Sequence, residues 1–125
     1  MNLNQITIPS LNLEKSTEFY KTLGLRLIVD SIPRYARFEC PNGTSTLSLH
    51  HVDKLAKGKG ITIYFEDKNL DETVKKLQQK GIVFKSLPKE QRWLWTEAHL
   101  QDPDGHQIIL YFAGKNRKNP PWRIN

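Results

Sequence analysis

Alternation of polar and apolar residues predicts the first strand, and helical spacing follows it. Residues 5–8 read Gln-Ile-Thr-Ile, which is the period of a strand with one buried face. Leu13 and Tyr20 then fall on one face of a predicted helix, and Gly24 is placed to end that helix in a left-handed conformation. Further strands are predicted over residues 25–29, 35–39 and 44–50, with an Asn-Gly turn at 42–43.

The second half of the chain has the same order of elements. Residues 61–65 are β-branched and aromatic, which is typical of a strand. Asn69 and Glu72 have the spacing of a capping box at the start of a helix, and Gly81 follows the end of that helix. Further strands are predicted over residues 82–85, 93–101 and 107–112, with a tight turn at 102–105.

The two halves are related by an internal repeat. Three pairs of residues lie 57 positions apart: Gln5 and Thr62, Asn12 and Asn69, and Gly24 and Gly81. A shared strand, helix start and helix end in one register indicate two copies of one structural unit. The predicted fold is therefore α+β, with two tandem β-α-β-β-β modules.

Composition is typical of one soluble domain. The chain has 125 residues, the common size of one domain, and its single cysteine, Cys40, excludes an intramolecular disulfide. We expect Cys40 to be a packing residue in a reducing, cytoplasmic environment. Residues 1–10 lack the pattern of a secretory signal, and no apolar stretch approaches the roughly 18–20 residues that span a bilayer, so we expect no membrane association.

The net charge is +6, but its distribution does not indicate nucleic-acid binding. Basic residues are scattered over the predicted helices and one loop, and only the tail from Lys115 to Arg123 forms a cluster. No helix-turn-helix, zinc-finger or RNA-recognition motif accompanies that cluster. We therefore interpret the lysines as a solvated surface and expect no nucleic-acid partner.

Three motifs occur in order along the chain: Asn4–Pro9 with Ser16–Leu25, then Tyr64–Phe65 with Asn69–Asp71, then Asp102–His106 with Ile108–Tyr111. Together they resemble the vicinal oxygen chelate superfamily of glyoxalases, ring-cleaving dioxygenases and bleomycin-resistance proteins. The resemblance covers residues 3–113 and implies a single domain of residues 1–113. In that domain, modules at about 3–51 and 60–113 would form a half-open curved barrel with a ligand inside, and residues 114–125 would be a tail.

The superfamily's usual chemistry uses a divalent metal held by histidine and glutamate side chains on four strands. The resemblance places those four positions at Gln5, Ser48, Thr62 and Ile109. Amide and hydroxyl groups are weak neutral ligands, and isoleucine cannot coordinate. We therefore expect no metal and no other cofactor at this site.

A relocated metal site is an alternative. His50, Glu97 and His99 would form a two-histidine, one-carboxylate triad if they converged. The facing of Glu97 and His99 depends on the turn that follows them. A two-residue loop would pair Ala98 with Ile109 and point Glu97 away from the Ile109 side, whereas another turn length would reverse this.

Strand alternation also predicts which side chains line the implied cavity. Their mixture of apolar, aromatic and hydrogen-bonding groups is typical of a small-molecule site, although the same side chains could simply fill a small barrel. His50 is the candidate general base, since the ordinary pKa of histidine lies near working pH. The predicted ligand-binding residues are Gln5, Thr7, Ser48, His50, Thr62, Tyr64, Trp95, Ile109 and Tyr111.

Two tryptophan-rich segments have two interpretations each. Trp93 and Trp95 would either wall the cavity mouth or anchor a subunit interface. The same choice applies to Trp122, which follows two prolines in the tail. We expect the tail to pack across a two-fold axis in a homodimer.

Two functions stay open: a small-molecule-binding protein, or an enzyme (a lyase, isomerase or dioxygenase) with a relocated metal or none. The binding proteins that this chain resembles take cationic glycopeptides such as bleomycin. Here the net charge is +6, the predicted lining has no carboxylate, and Arg37 would add positive potential near an opening. We therefore expect a neutral or anionic ligand.

Overall fold

The computed structural model describes residues 1–124, which divide into two compact units. Unit 1 comprises Met1–Gly60 and Asp102–Asp104, and unit 2 comprises Ile61–Gln101 and the residues from Gly105 onward. Each unit contains one four-stranded sheet and one α-helix. The predicted α+β class and the two β-α-β-β-β modules are therefore confirmed. No helix within residues 1–124 has the length and apolar character needed to cross a membrane.

The elements of unit 1 are β1 (Gln5–Ser10), α1 (Leu13–Leu23), β2 (Arg26–Ser31), β3 (Tyr35–Glu39) and β4 (Thr46–His51). The strand order is β1-β4-β3-β2, in which β1 runs parallel to β4 and the other neighbours are antiparallel.

Helix α1 begins and ends where the sequence predicts and packs on one face of this sheet. The Asn12 side chain accepts a hydrogen bond from Lys15 N at 3.1 Å, and Gly24 ends the helix with φ 115°. The Tyr20 ring lies 6.0 Å from the Phe38 ring, so the face of β3 that carries Phe38 is the one covered by the helix. The fully buried apolar residues of this core include Ile8, Leu13, Tyr20, Phe38, Leu47 and Leu49.

Residues Asp102–Asp104 of the Asp-Pro-Asp-Gly turn belong to unit 1, where the two carboxylates are hydrogen-bonded to α1 and to the segment before it. Asp104 accepts hydrogen bonds from Leu11 N and Ser16 Oγ, both at 2.8 Å. Asp102 accepts one from the Tyr20 hydroxyl at 2.6 Å. The pKa of Tyr20 lies well above its ordinary range, mainly because the hydroxyl is buried and also because the Asp102 carboxylate is next to it. This turn therefore stabilises the fold.

The elements of unit 2 are β5 (Thr62–Glu66), α2 (Leu70–Gln79), β6 (Ser86–Glu90), β7 (Thr96–Gln101) and β8 (Gln107–Phe112). A 3-10 helix at Gly114–Arg117 follows the last strand. Unit 2 repeats the topology of unit 1, with strand order β5-β8-β7-β6 and β5 parallel to β8.

Two of the predicted strands in unit 2 were misplaced. The strand predicted over residues 82–85 is wrong, because these residues form a loop in which the Val83 side chain is 85% exposed, and β6 begins at Ser86. The strand predicted from residue 93 begins at Thr96 instead. A turn precedes it, closed by a hydrogen bond from Leu94 N to Gln91 O at 2.9 Å.

The capping box predicted for α2 is also wrong. The Asn69 side chain makes no capping hydrogen bond. Asp67 holds the start of the helix instead, because its carboxylate accepts hydrogen bonds from Asn69 N at 2.7 Å and from Thr73 Oγ1 at 2.5 Å. Asp67 lies two residues before the predicted cap, Asn69, and it places negative charge at the helix N-terminus.

Candidate functional site

The sheet face of unit 1 that lies opposite α1 is polar. Tyr35 pairs with His50, and Arg37 pairs with Ser48, so these side chains alternate with Phe38 and point away from the helix. The parallel pairing of β1 with β4 brings residues of β1 to the same face. We call this set the polar face of unit 1: Gln5, Thr7, Tyr35, Arg37, Thr46, Ser48 and His50.

A hydrogen-bond network joins three of the predicted ligand-binding residues on this face. The Gln5 Nε2 group donates to Ser48 Oγ at 2.9 Å, to Thr7 Oγ1 at 3.2 Å and to Ile6 O at 3.1 Å. Gln5 Oε1 accepts a hydrogen bond from the Thr46 hydroxyl. Because the backbone carbonyl of Ile6 can only accept, it fixes which end of the Gln5 amide is the nitrogen. Ser48, which is fully buried, is held by this network.

Tyr35 continues the network and was not among the predicted site residues. Its hydroxyl lies 2.6 Å from Ser48 Oγ and accepts a hydrogen bond from Arg37 Nε at 2.9 Å. These two hydrogen bonds lower the pKa of Tyr35, the one to Ser48 having the larger effect, and burial opposes them. The sequence signal was available, since alternation along β3 places Tyr35 and Arg37 on the face opposite Phe38, but it required the pairing of β3 with β4.

His50 lies on the polar face but is exposed. No hydrogen bond or ion pair orients its imidazole among the residues that the structure describes. A general base is normally positioned by a neighbouring group. The catalytic role of His50 therefore stays a prediction that the geometry of unit 1 does not strengthen.

An aromatic cluster in unit 2 brings together four further predicted residues. Trp95 stacks on Tyr111 with ring centroids 4.7 Å apart, and Tyr64 meets both rings edge-on at 5.8 and 5.5 Å. Ile109 packs in the same buried cluster. Tyr64 is 46% exposed, so the cluster has an accessible edge. Burial raises the pKa of Tyr64 and of Tyr111 above the ordinary value of tyrosine, so the neutral phenol is favoured in both.

The facing of Glu97 and His99 is settled by the strand register. His99 pairs with Ile109 and Glu97 pairs with Tyr111, so both point to the Ile109 side. The two-residue loop considered from the sequence does not form, because residues 102–106 connect the strands. Thr62 begins β5 on the same face as Tyr64 and is exposed.

Glu97 and His99 form a hydrogen-bonded pair. The Glu97 side chain is nearly fully buried, with Oε1 2.9 Å from His99 Nε2 and Oε2 accepting a hydrogen bond from Trp93 Nε1 at 2.8 Å. Trp93 therefore fixes the carboxylate. Of the alternative metal triad, unit 2 brings Glu97 and His99 together, whereas His50 belongs to unit 1.

Comparisons with known proteins place this geometry in a family. A family model described as Glyoxalase/Bleomycin resistance protein/Dioxygenase superfamily matches residues 2–110. No curated protein matches the chain in sequence.

Solved structures of similar fold include a glyoxalase/bleomycin resistance protein/dioxygenase from Nocardioides, with TM-score 0.77 and 24% identity over 100% of this chain and 90% of that one. A bleomycin-binding protein complexed with bleomycin has TM-score 0.73 and 20% identity, covering 90% and 98% of the two chains. A lactoylglutathione lyase from Agrobacterium tumefaciens has TM-score 0.72 and 18% identity, covering 89% and 92%. At these identities the similarity establishes the fold.

Proposed function

We propose that this chain, which belongs to the Glyoxalase/Bleomycin resistance protein/Dioxygenase superfamily, binds a small neutral or anionic organic molecule. We also propose that it does so without a divalent metal. The observation that carries this proposal is the hydrogen bond between Gln5 and Ser48. Gln5 and Ser48 occupy two of the four positions where the resemblance implies metal ligands, and their side chains are hydrogen-bonded to each other.

The residues at those four positions do not fit a divalent metal. The Gln5 amide and the Ser48 hydroxyl are neutral and already hydrogen-bonded, and Thr62 offers only a hydroxyl. Ile109 is buried in an apolar cluster and has no donor atom. A catalytic divalent ion in proteins is held by imidazole, carboxylate or thiolate groups. No step of the function is therefore assigned to a metal at these positions.

Each unit, taken by itself, offers groups that suit a small organic ligand. The aromatic cluster of unit 2 exposes part of Tyr64, which suits a flat apolar group. The polar face of unit 1 offers hydrogen-bonding groups on Tyr35 and Arg37. Aromatic walls and a few placed polar groups are both common in small-molecule sites.

Charge supports a neutral or anionic ligand. The chain carries +6 in total, and the polar face of unit 1 includes the guanidinium of Arg37. A cationic ligand would be repelled by this positive potential. The bleomycin complex of a protein that is 20% identical therefore does not transfer its ligand to this chain.

The test combines metal analysis with ligand binding. Elemental analysis of the purified chain should find no stoichiometric zinc, nickel, manganese or iron, and calorimetry with these ions should show no tight site. Benzoate and benzyl alcohol should quench tryptophan fluorescence more than benzylamine does. One tightly held ion per chain that is lost on Gln5→Ala or Ser48→Ala would overturn the metal-free part. Preference for benzylamine, or for bleomycin in a salt-sensitive manner, would overturn the charge assignment.

A second candidate function is metal-free enzymatic proton transfer, favoured by the Glu97–His99 pair. With Nε2 of His99 held by a buried carboxylate, Nδ1 is the nitrogen that would accept a substrate proton. The test is proton NMR in deuterated water with small keto acids, which detects exchange next to the carbonyl. His99→Asn should slow exchange by about 100-fold or more, whereas His51→Asn should not. Absence of exchange in the wild type would dismiss this function.

We also propose that the tail mediates a homodimer. Trp122 is 57% exposed in the single chain, although tryptophan is enriched at interfaces. Light scattering should report a dimer that Trp122→Ala weakens. Val83→Ala, at an apolar loop residue that is 85% exposed, should leave the dimer unchanged. A monomeric wild type would contradict the proposal.

A further inference from the structure

We infer that the polar face of unit 1 is an oxyanion-binding site, in which Tyr35 and Arg37 hold the carboxylate of a small organic acid. This inference deepens the proposed function and rests on it, because it names the anionic ligand class and the side chains that recognise it. The site is contained within unit 1, on strands β1, β3 and β4.

The hydrogen-bond directions leave the Tyr35 proton unused. Ser48 Oγ accepts from Gln5 Nε2, which can only donate. If Ser48 also accepted from Tyr35, its own proton would be buried without an acceptor, which is costly. Ser48 therefore donates to Tyr35 Oη, which also accepts from Arg37 Nε. Both acceptor positions of the phenol are occupied, and residues 1–124 place no acceptor for its proton, so that proton is available to a ligand.

Arg37 supplies the complementary charge. It carries no ion pair among residues 1–124, and its one side-chain hydrogen bond uses Nε, which leaves the two Nη groups as donors. The neighbouring carboxylate on β3, that of Glu39, pairs with Arg26 at 3.2 Å instead. A guanidinium presenting two parallel N–H donors is the group that recognises a carboxylate best.

The arrangement exists before any ligand arrives. Gln5 is fixed by Thr46, Thr7 and the backbone, Gln5 fixes Ser48, and Ser48 fixes the Tyr35 hydroxyl. Donors that are already oriented lose little side-chain freedom on binding. This pre-organisation distinguishes the site from a scatter of surface polar groups.

The decisive experiment measures the ionisation of Tyr35 by ultraviolet absorbance with and without ligand. A carboxylate that accepts the phenol proton binds the protonated form, so benzoate should raise the pKa of Tyr35, and the neutral isostere benzamide should not. The other titratable groups facing Tyr35 are Arg37 on its own strand and His50 on β4, while its β2 partner Ser31 is uncharged. Tyr35→Phe should therefore abolish the benzoate-sensitive step, whereas His51→Gln, on the other face of β4, should leave it in place.

Matched variants separate this site from other modes of binding. Arg37→Gln and Tyr35→Phe should each weaken benzoate binding by about threefold to tenfold, the range of charge-assisted hydrogen bonds that are partly exposed to solvent. Arg92→Gln removes the same charge from an exposed turn of unit 2 and should have no such effect.

The inference and the proposed function fail differently. Equal binding of benzoate and benzamide, unchanged in both variants, would overturn the oxyanion site while metal-free ligand binding stands. Inorganic phosphate binding more tightly than benzoate and acetate would overturn the assignment to carboxylates. A bound metal that benzoate requires would overturn the proposed function itself.

Discussion

The hydrogen bond between Tyr20 and Asp102 gives the sharpest prediction about stability. It joins the middle of α1 to the Asp-Pro-Asp-Gly turn at 2.6 Å, and both side chains are buried. Tyr20→Phe removes only the hydroxyl oxygen and leaves the ring against Phe38. The Asp102 carboxylate then loses its Tyr20 donor in a site that water reaches poorly.

The expected cost is about 1.5–3 kcal/mol, the range for a hydrogen bond to a charged group whose removal leaves a buried partner. With 125 residues and an unfolding entropy of about 2.1 cal/mol/K per residue, each kcal/mol corresponds to about 4 °C. Tyr20→Phe should therefore lower Tm by about 6–11 °C at neutral pH, measured together with urea unfolding.

Tyr64→Phe is the matched control, since it removes the same atom from a tyrosine that is 46% exposed. It should change the free energy of unfolding by no more than about 0.5 kcal/mol. Equal loss of stability in the two variants would contradict a role of the Tyr20–Asp102 hydrogen bond in holding α1.

The same hydroxyl predicts a pH dependence. The folded-state pKa of Tyr20 is raised above its ordinary value of 10.0 by burial and then by Asp102. A raised pKa contributes stability that is present in full below that ordinary value and is lost as the pH rises through the folded pKa. The wild type should therefore lose stability above about pH 10 more steeply than Tyr20→Phe, and the gap between them should narrow. A constant gap would contradict this.

Three further predictions concern other elements. Tyr35 should be the first tyrosine to ionise in an absorbance titration, because its pKa is lowered while the pKa values of the other three tyrosines are raised. Ser48→Ala should move the ionisation of Tyr35 to higher pH, and an unchanged titration would refute the role of Ser48. Gly24→Ala should cost about 1 kcal/mol in urea unfolding, because φ is 115° and open space surrounds the site; a neutral result would mean that the backbone relaxes. Glu66→Ala should speed hydrogen exchange at Gly114 N, which donates to that carboxylate at 2.9 Å; unchanged exchange would mean that the 3-10 helix holds itself.

The sequence predicted the elements whose pattern is local. Alternation placed β1, and the apolar stripe and terminal glycine placed α1. The strands predicted over residues 35–39 and 107–112 have the same bounds as β3 and β8. The strand at residues 82–85 failed because β-branched Ile82 and Val83 have strand propensity, while the pairing that makes a strand begins later, at Ser86. Propensity cannot distinguish a loop that precedes a strand from the strand itself.

The candidate site was predictable where it depended on alternation within one strand. Gln5 and Ser48 were expected on one face and are hydrogen-bonded there. Tyr35 was missed because its role depends on the register of β3 against β4. The facing of Glu97 depended on the loop that follows β7, and a change of one residue in that register reverses every side chain.

The strand registers also explain why the repeat was visible in one part of the chain and hidden in another. Gln5 pairs with Thr46, and Thr62 pairs with Gln107 in the same way. Gln5 and Thr62, on the first strands of the two units, lie 57 positions apart, which is the offset of the sequence repeat. On the third strands the equivalent residues lie 62 positions apart, because the segment between Gly81 and β7 is longer than its counterpart in unit 1.

At the offset of 62, the third strands of the two units carry corresponding pairs of hydrogen-bonded side chains. Tyr35 pairs across the sheet with His50 as Glu97 pairs with Tyr111, and Arg37 pairs with Ser48 as His99 pairs with Ile109. In each unit, therefore, two side chains two residues apart on the third strand are hydrogen-bonded to each other: Tyr35 with Arg37, and Glu97 with His99. Both pairs lie on the face that carries the predicted site residues. One pair offers a phenol and a guanidinium, and the other a carboxylate and an imidazole. The two units thus share a backbone position for chemistry while differing in the charge that they present there. The oxyanion site is accordingly assigned to unit 1, because the corresponding position in unit 2 already holds a carboxylate of the chain itself.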